Sequence, residues 1–192
     1  MKVEILEEAG YEWACMGMAY SYKDRKDDRD LWWAEHKEKA INRAAKLADK
    51  DGGHNKFLES IQVWIDIEAT RSFWQEMDTY RVGMTKQSES TMHTLNKRRP
   101  EVEDFEEYVL PTTVVQFQKV WDEYRTDIMR LKENMPEGFL QRRVVCCNYK
   151  VLRNILNQRG KHRYLWWRVF NDEIRNQIQH PELIFTDSPV SV

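Results

Sequence analysis

Residues 61–80 change period halfway along, and that change limits the architecture more than any other feature. Ile61, Val63, Ile65 and Ile67 alternate with Gln62, Trp64, Asp66 and Glu68. This is the two-residue repeat of a half-buried strand. Phe73, Trp74, Met77 and Tyr80 then recur at helical spacing, with Arg71 at the start of the run and Arg81 at its end. A strand that feeds a helix this directly needs a core where sheet and helix share apolar surface. After Gly83 comes Met-Thr-Lys-Gln-Ser-Glu-Ser-Thr-Met-His-Thr, rich in hydroxyls and amides with little to bury. It reads as a polar loop, the kind of segment that carries binding groups on a rigid scaffold.

The remaining elements follow from pattern. Val3 and Ile5 alternate with Lys2 and Glu4 in a short strand that Gly10 ends. Residues 13–22 read as a helix, residues 23–30 as a solvated charge run, and residues 31–49 as a second helix with Ile41, Ala44, Ala45 and Ala48 on one face. Asp51-Gly52-Gly53-His54 is a turn. Residues 97–111 are acidic and proline-bounded, a loop with one helical turn. Val114, Phe117, Trp121, Tyr124, Ile128 and Leu131 predict one amphipathic helix. Leu140, Val144, Cys147, Val151 and Ile155 predict another over 139–158, and residues 163–179 a last one. The closing Ser-Pro-Val-Ser-Val reads as a loose tail. The expectation is an α+β chain with a small antiparallel sheet and predominating helices. Residues 1–180 form one domain and residues 181–192 a tail. Two strands bury poorly by themselves. Either further strands exist, with residues 108–110 a candidate, or another copy completes the sheet.

Charge narrows the function. Thirty basic and 32 acidic residues leave a net charge of -2, so no overall field draws the chain to nucleic acid. Three cysteines, two adjacent at Cys146 and Cys147, make neither a disulfide framework nor a metal cluster, and a reduced cytoplasmic setting follows. Residues 1–8 are a charged strand rather than a signal peptide, and no stretch reaches the roughly 20 apolar residues of a membrane span.

Several of these pieces, in this order, resemble the flavin-dependent thymidylate synthase family. Gly53-His54-Asn55-Lys56-Phe57-Leu58-Glu59 is similar to that family's Gly-His-x-x-Phe-x-Glu-His turn, with Ser60 in place of the last histidine. Asn148, Asn154 and Arg159 match the spacing of a flavin-binding helix. Asp172-Glu173-Ile174-Arg175 resembles the Glu-Ile-Arg of the closing helix. The polar loop stands where the family carries Arg-His-Arg, seven residues and serine. The triplet itself is absent here. Aligning Ser90 with the serine places Tyr80-Arg81-Val82 on it, and aligning Ser88 places Asp78-Thr79-Tyr80. Only four residues separate Arg143 from Asn148, fewer than is usual in the family.

The resemblance implies reductive methylation of dUMP to dTMP, with FAD as cofactor, methylene-tetrahydrofolate as carbon donor and NADPH as reductant. It also implies a homotetramer whose sites combine several chains. In such a site the protein positions the reactants and supplies positive charge. The nucleotide contacts fall to Arg81, Lys86, Gln87, Ser88, Ser90 and Arg143, and the flavin contacts to His54, Asn148, Asn154 and Arg159. Arg142 is a further cation nearby. Structural readings stand beside these: Arg81 as a helix cap, Ser88 and Ser90 as turn formers, His54, His93 and His162 as surface residues, and Cys146-Cys147 as core. Two other functions stay open. One is a non-catalytic relative that sequesters a nucleotide or nucleotide signal, and the other is an enzyme modifying a different nucleotide. Compact size and drift from the motif suit a virus-encoded copy.

Overall fold

A computed structural model describes residues 1–50 and 52–185. Asp51 of the expected turn and the expected loose tail at 188–192 lie outside the described residues. Strands β1 (Lys2–Ala9), β2 (Gln62–Thr70), β3 (Met84–Ser88) and β4 (Leu140–Asn148) form a small antiparallel sheet in the order β1-β2-β4-β3. The helices are α1 (Tyr11–Ala19), α2 (Arg29–Leu47), α3 (Arg71–Met77), α4 (Thr91–Thr94), α5 (Pro111–Tyr124), α6 (Ile128–Glu133), α7 (Tyr149–Arg159), α8 (Leu165–Gln177) and α9 (Pro181–Ile184). The α+β class, with helices predominating, is as the sequence predicts.

The expected strands at the N-terminus and at 61–68 are present. In β2 the apolar set Val63, Ile65 and Ile67 is buried, and the residues between them are half-buried. The sheet is larger than the two strands predicted, and the missing strands come from this chain. Residues 108–110 are not among them. One is β3, inside the segment expected to be a polar loop. The other is β4, inside the segment expected to be a helix over 139–158. There the helical stripe is coincidental: Arg142-Arg143, Val144-Val145 and Cys146-Cys147 are doublets, so both strand faces carry the same residue types and alternation disappears. Hydrogen bonding to β2 and β3 on its two sides decides the outcome, since strand preference follows context. The predicted helix over 114–131 is also divided. Asp127 accepts a hydrogen bond from the Arg130 N–H at 3.2 Å and so starts α6 afresh after α5.

The chain forms two compact units. The first comprises Met1–Val3, Asp66–Arg81 and Lys86–Val145. Its core joins Leu95, Phe105, Val114, Phe117, Leu131 and Met135. Phe105, Phe117 and Phe139 meet edge to face, with ring centroids 5.4 to 6.2 Å apart. Such contacts add to the burial of the rings themselves. The second comprises Glu4–Ile65, Val82–Thr85 and the described part of Cys146–Val192. In it α1 packs on α2 and on the 3₁₀ turn Lys56–Ser60, and α7 packs on that turn, α8 and α9. The doublet tryptophans behave as expected: Trp32, Trp33 and Trp167 are buried, and Trp166 is half-buried.

Candidate functional site

The residues predicted to hold a nucleotide lie in the first unit, and two of them meet around a third group. Thr70 caps α3, its hydroxyl accepting from the Phe73 N–H at 3.2 Å. The helix then sets Trp74 and Asp78 four residues apart on one face. The Arg143 guanidinium, from β4, lies over the Trp74 ring at 4.4 Å. Its Nη1 donates to both carboxylate oxygens of Asp78, at 3.1 and 3.0 Å. Trp74 is itself fixed, donating from Nε1 to the Gln141 carbonyl at 3.0 Å. Lys86, from β3, reaches the same carboxylate at 3.3 Å and donates to the Tyr80 carbonyl at 2.7 Å.

This group carries two cations and one carboxylate. The Arg143 and Lys86 side chains are 17% and 13% exposed, and that of Asp78 is 47% exposed. Net positive charge is thus held with little access to water, which is costly without a counter-anion. The Nε–H of Arg143 is buried with no hydrogen-bond partner. An unpaired buried donor costs about 1–3 kcal/mol. Its excess of positive charge makes the cluster the candidate anion site among the described residues.

The other predicted nucleotide contacts are not gathered there. Arg81 is exposed and makes no hydrogen bond or ion pair among the described residues. Gln87, Ser88 and Ser90 are exposed, and Ser90 precedes α4, its carbonyl accepting from the His93 and Thr94 N–H groups. Arg142 is paired with Asp66 at 3.1 Å, and its own N–H faces Glu89. A cavity of about 270 Å³ adjoins it, lined by Glu68, Glu89, Glu103 and Asp104 with Arg98 and Arg142, and its acidic excess disfavours an anion.

The residues predicted to hold flavin lie in the second unit. Asn148 is the N-cap of α7, its side-chain oxygen accepting from the Val151 N–H at 2.9 Å. Gly83, with φ +69°, is pressed against this cap. A Cβ there would stand 2.9 Å from Val151 Cγ2 and 3.2 Å from Asn148 Nδ2. Asn154 is exposed and accepts from Gln158 at 3.1 Å. Arg159 is partly buried, its guanidinium 4.8 Å from the Trp167 ring centre and its Nη1 2.9 Å from His162 Nε2. His54 is exposed on the rim of a groove of about 550 Å³ that Trp13, Tyr22, Arg43 and Phe57 also line.

Burial pushes the Cys147 thiol up to about 12 and Cys15 up to about 11, and desolvation also raises Cys146. None of the three is primed as a nucleophile. Trp74, Asp78 and Trp167 were not among the sequence candidates. The four-residue step from Trp74 to Asp78, one turn before the polar segment, is a signal that was there to find.

Comparison with solved structures identifies the fold. Two crystal structures of the flavin-dependent thymidylate synthase ThyX from Helicobacter pylori, with FAD and dUMP, superpose with a TM-score of 0.74. Each is 14% identical in sequence. The match covers 96% of this chain and 98% and 97% of theirs. The chain therefore has the thymidylate synthase X fold. No family model and no curated protein sequence matches it. No helix among the described residues is long and apolar enough to cross a membrane.

Proposed function

We propose that this protein binds dUMP and methylates it reductively to dTMP, with FAD as cofactor, methylene-tetrahydrofolate as carbon donor and NADPH as reductant. The observation that carries the nucleotide part is the Trp74–Arg143–Asp78–Lys86 cluster. Its surplus positive charge suits a phosphate, and the fold is one that accommodates dUMP and FAD in the Helicobacter pylori protein. Arg143 and Lys86 hold the phosphate, and Arg81, Gln87, Ser88 and Ser90 supply further donors from the exposed segment. A guanidinium backed by an indole loses little freedom on gripping a phosphate.

The second unit fits a flavin dinucleotide by donor chemistry. Arg159 is braced against Trp167, and Lys161 and Arg163 follow it in the sequence as exposed cations, groups of the kind that pair with a pyrophosphate. Arg159, Asn154 and His54 are the residues that would hold the cofactor. Bound flavin would supply the redox chemistry that no side chain here provides. By the same resemblance the protein works as a homotetramer.

One observation favours a second reading, a nucleotide-binding relative without turnover. The Asn148 oxygen is already committed to capping α7. Anaerobic incubation with FAD, dUMP, methylene-tetrahydrofolate and NADPH separates the two. The main reading expects a protein that is yellow with FAD before NADPH is added, and dTMP in the product analysis after it. A protein that stays colourless with excess FAD before NADPH is added, binds dUMP and yields no dTMP supports the second.

A further inference from the structure

A separate pocket in the second unit has a different composition. It lies between the end of α1 with its 3₁₀ extension Tyr20–Tyr22 and one face of α2, and measures about 220 Å³. Ala19 and Ala40 are small, buried and leave room for a ring. From α2, Trp32, His36, Lys39, Ala40 and Arg43 follow at steps of four, three, one and three, which places them along one face.

The walls are aromatic. Trp32 and His36 stack with ring centroids 4.7 Å apart and planes 12° apart. Tyr22, 69% exposed, lies under the Arg43 guanidinium at 4.1 Å. His36 Nδ1 sits 2.9 Å from the Trp32 carbonyl, so it must donate, and in the neutral ring Nε2 keeps its lone pair. The charges are uncompensated. Neither Lys39 nor Arg43 forms an ion pair among the described residues, although Glu35 and Glu38 stand on the same helix. Glu35 precedes Lys39 by four residues, a spacing that favours pairing, yet no such pair forms. Exposed aromatic surface beside two free cations is the arrangement that receives stacked bases and phosphates.

We infer that Tyr22, Trp32, His36, Lys39 and Arg43 form a second small-molecule site, for a planar heteroaromatic anion of the nucleoside monophosphate class. The ring stacks against the Tyr22 and His36 walls, and Lys39 and Arg43 take the phosphate. The volume is below the ~300–1,000 Å³ of a drug-sized site, so one ring system enters and its substituent stays at the mouth.

The test uses the full-length protein carrying Lys86→Ala and Arg143→Ala, which removes the proposed dUMP phosphate contacts from the measurement. AMP is the probe, and the His36 ring signal, assigned with His36→Gln, is the readout. The site predicts a saturable shift of that signal with AMP. Adenosine and inorganic phosphate alone should each bind at least tenfold more weakly. The exposed position of Tyr22 makes Tyr22→Ala a variant that folds, and it should abolish the shift, as should Arg43→Ala. A His36 signal unmoved by AMP overturns the inference. So does adenosine binding as well as AMP, which removes the anion, or phosphate binding as well as AMP, which removes the ring. A failure here leaves dUMP binding by the wild type unaffected, so the two proposals fail separately.

Discussion

Arg143 and Arg159 are each laid on an indole, at 4.4 Å over Trp74 and 4.8 Å over Trp167. They differ in what meets the edge of the guanidinium. Arg143 faces a carboxylate that Lys86 also grips, whereas Arg159 faces an imidazole nitrogen at 2.9 Å. A carboxylate lowers the net charge available to a ligand, whereas the imidazole contact orients the Arg159 guanidinium. The first arrangement is a cation pair trimmed by one carboxylate, which the proposed function assigns to a phosphate monoester. The second sets a guanidinium between an indole face and an imidazole edge.

The largest effect is expected from Arg143→Ala. It should weaken dUMP binding by about 1.5–3 kcal/mol, the range for hydrogen bonds to a charged group, which is on the order of 10–150-fold by calorimetry. Arg143→Lys should fall between, because an ammonium keeps the charge but not the planar fork. Next, Arg159→Ala should weaken FAD binding about tenfold, read from flavin absorbance, and leave dUMP affinity within twofold. Loss of dUMP binding in Arg159→Ala would blur the distinction between the two arginines. Asp78→Asn sharpens it from the other side. Removing the shared carboxylate should raise phosphate affinity several-fold and steepen its salt dependence. Unchanged or lower affinity would mean that Asp78 chiefly positions the cations.

The smallest effect concerns stability. Tyr149 is pushed up well beyond the ordinary tyrosine range, first by burial and then by its hydrogen bond to Glu8. Its folded value lies above its unfolded one, so its contribution is fully present below about pH 10. Above that pH the unfolded chain loses the proton first, and stability falls as pH rises. Denaturant titrations of wild type between pH 9 and 11 should show that decline. Tyr149→Phe should flatten it.

How much of this the sequence revealed depended on contrast between neighbouring residues. Along β2, apolar residues alternate with polar ones, so the strand and the helix after it were legible. Along β4 the doublets from Arg142 to Cys147 gave no such contrast, and five apolar residues fell by chance at helical steps. The polar segment after Gly83 hid β3, because Thr85, Gln87 and Ser88 are exposed and nothing apolar marks an inward face. Lys86 and Arg143 were expected as nucleotide contacts, but the sequence did not show that they converge on one carboxylate. Convergence depends on Asp78, which comes from a helix and meets two strands. The spacing Asn148, Asn154, Arg159 predicted one helix, whereas Asn148 is the N-cap of α7, where the strand β4 ends and the helix begins.

Comparing dUMP with deoxyuridine by calorimetry, in wild type and in Arg143→Ala, tests most directly whether the Lys86–Arg143 pair receives the phosphate. The account predicts that wild type binds dUMP at least tenfold more tightly than deoxyuridine, and that the gap collapses in the variant. A gap that persists unchanged in a folded Arg143→Ala protein would place the phosphate elsewhere and contradict the account.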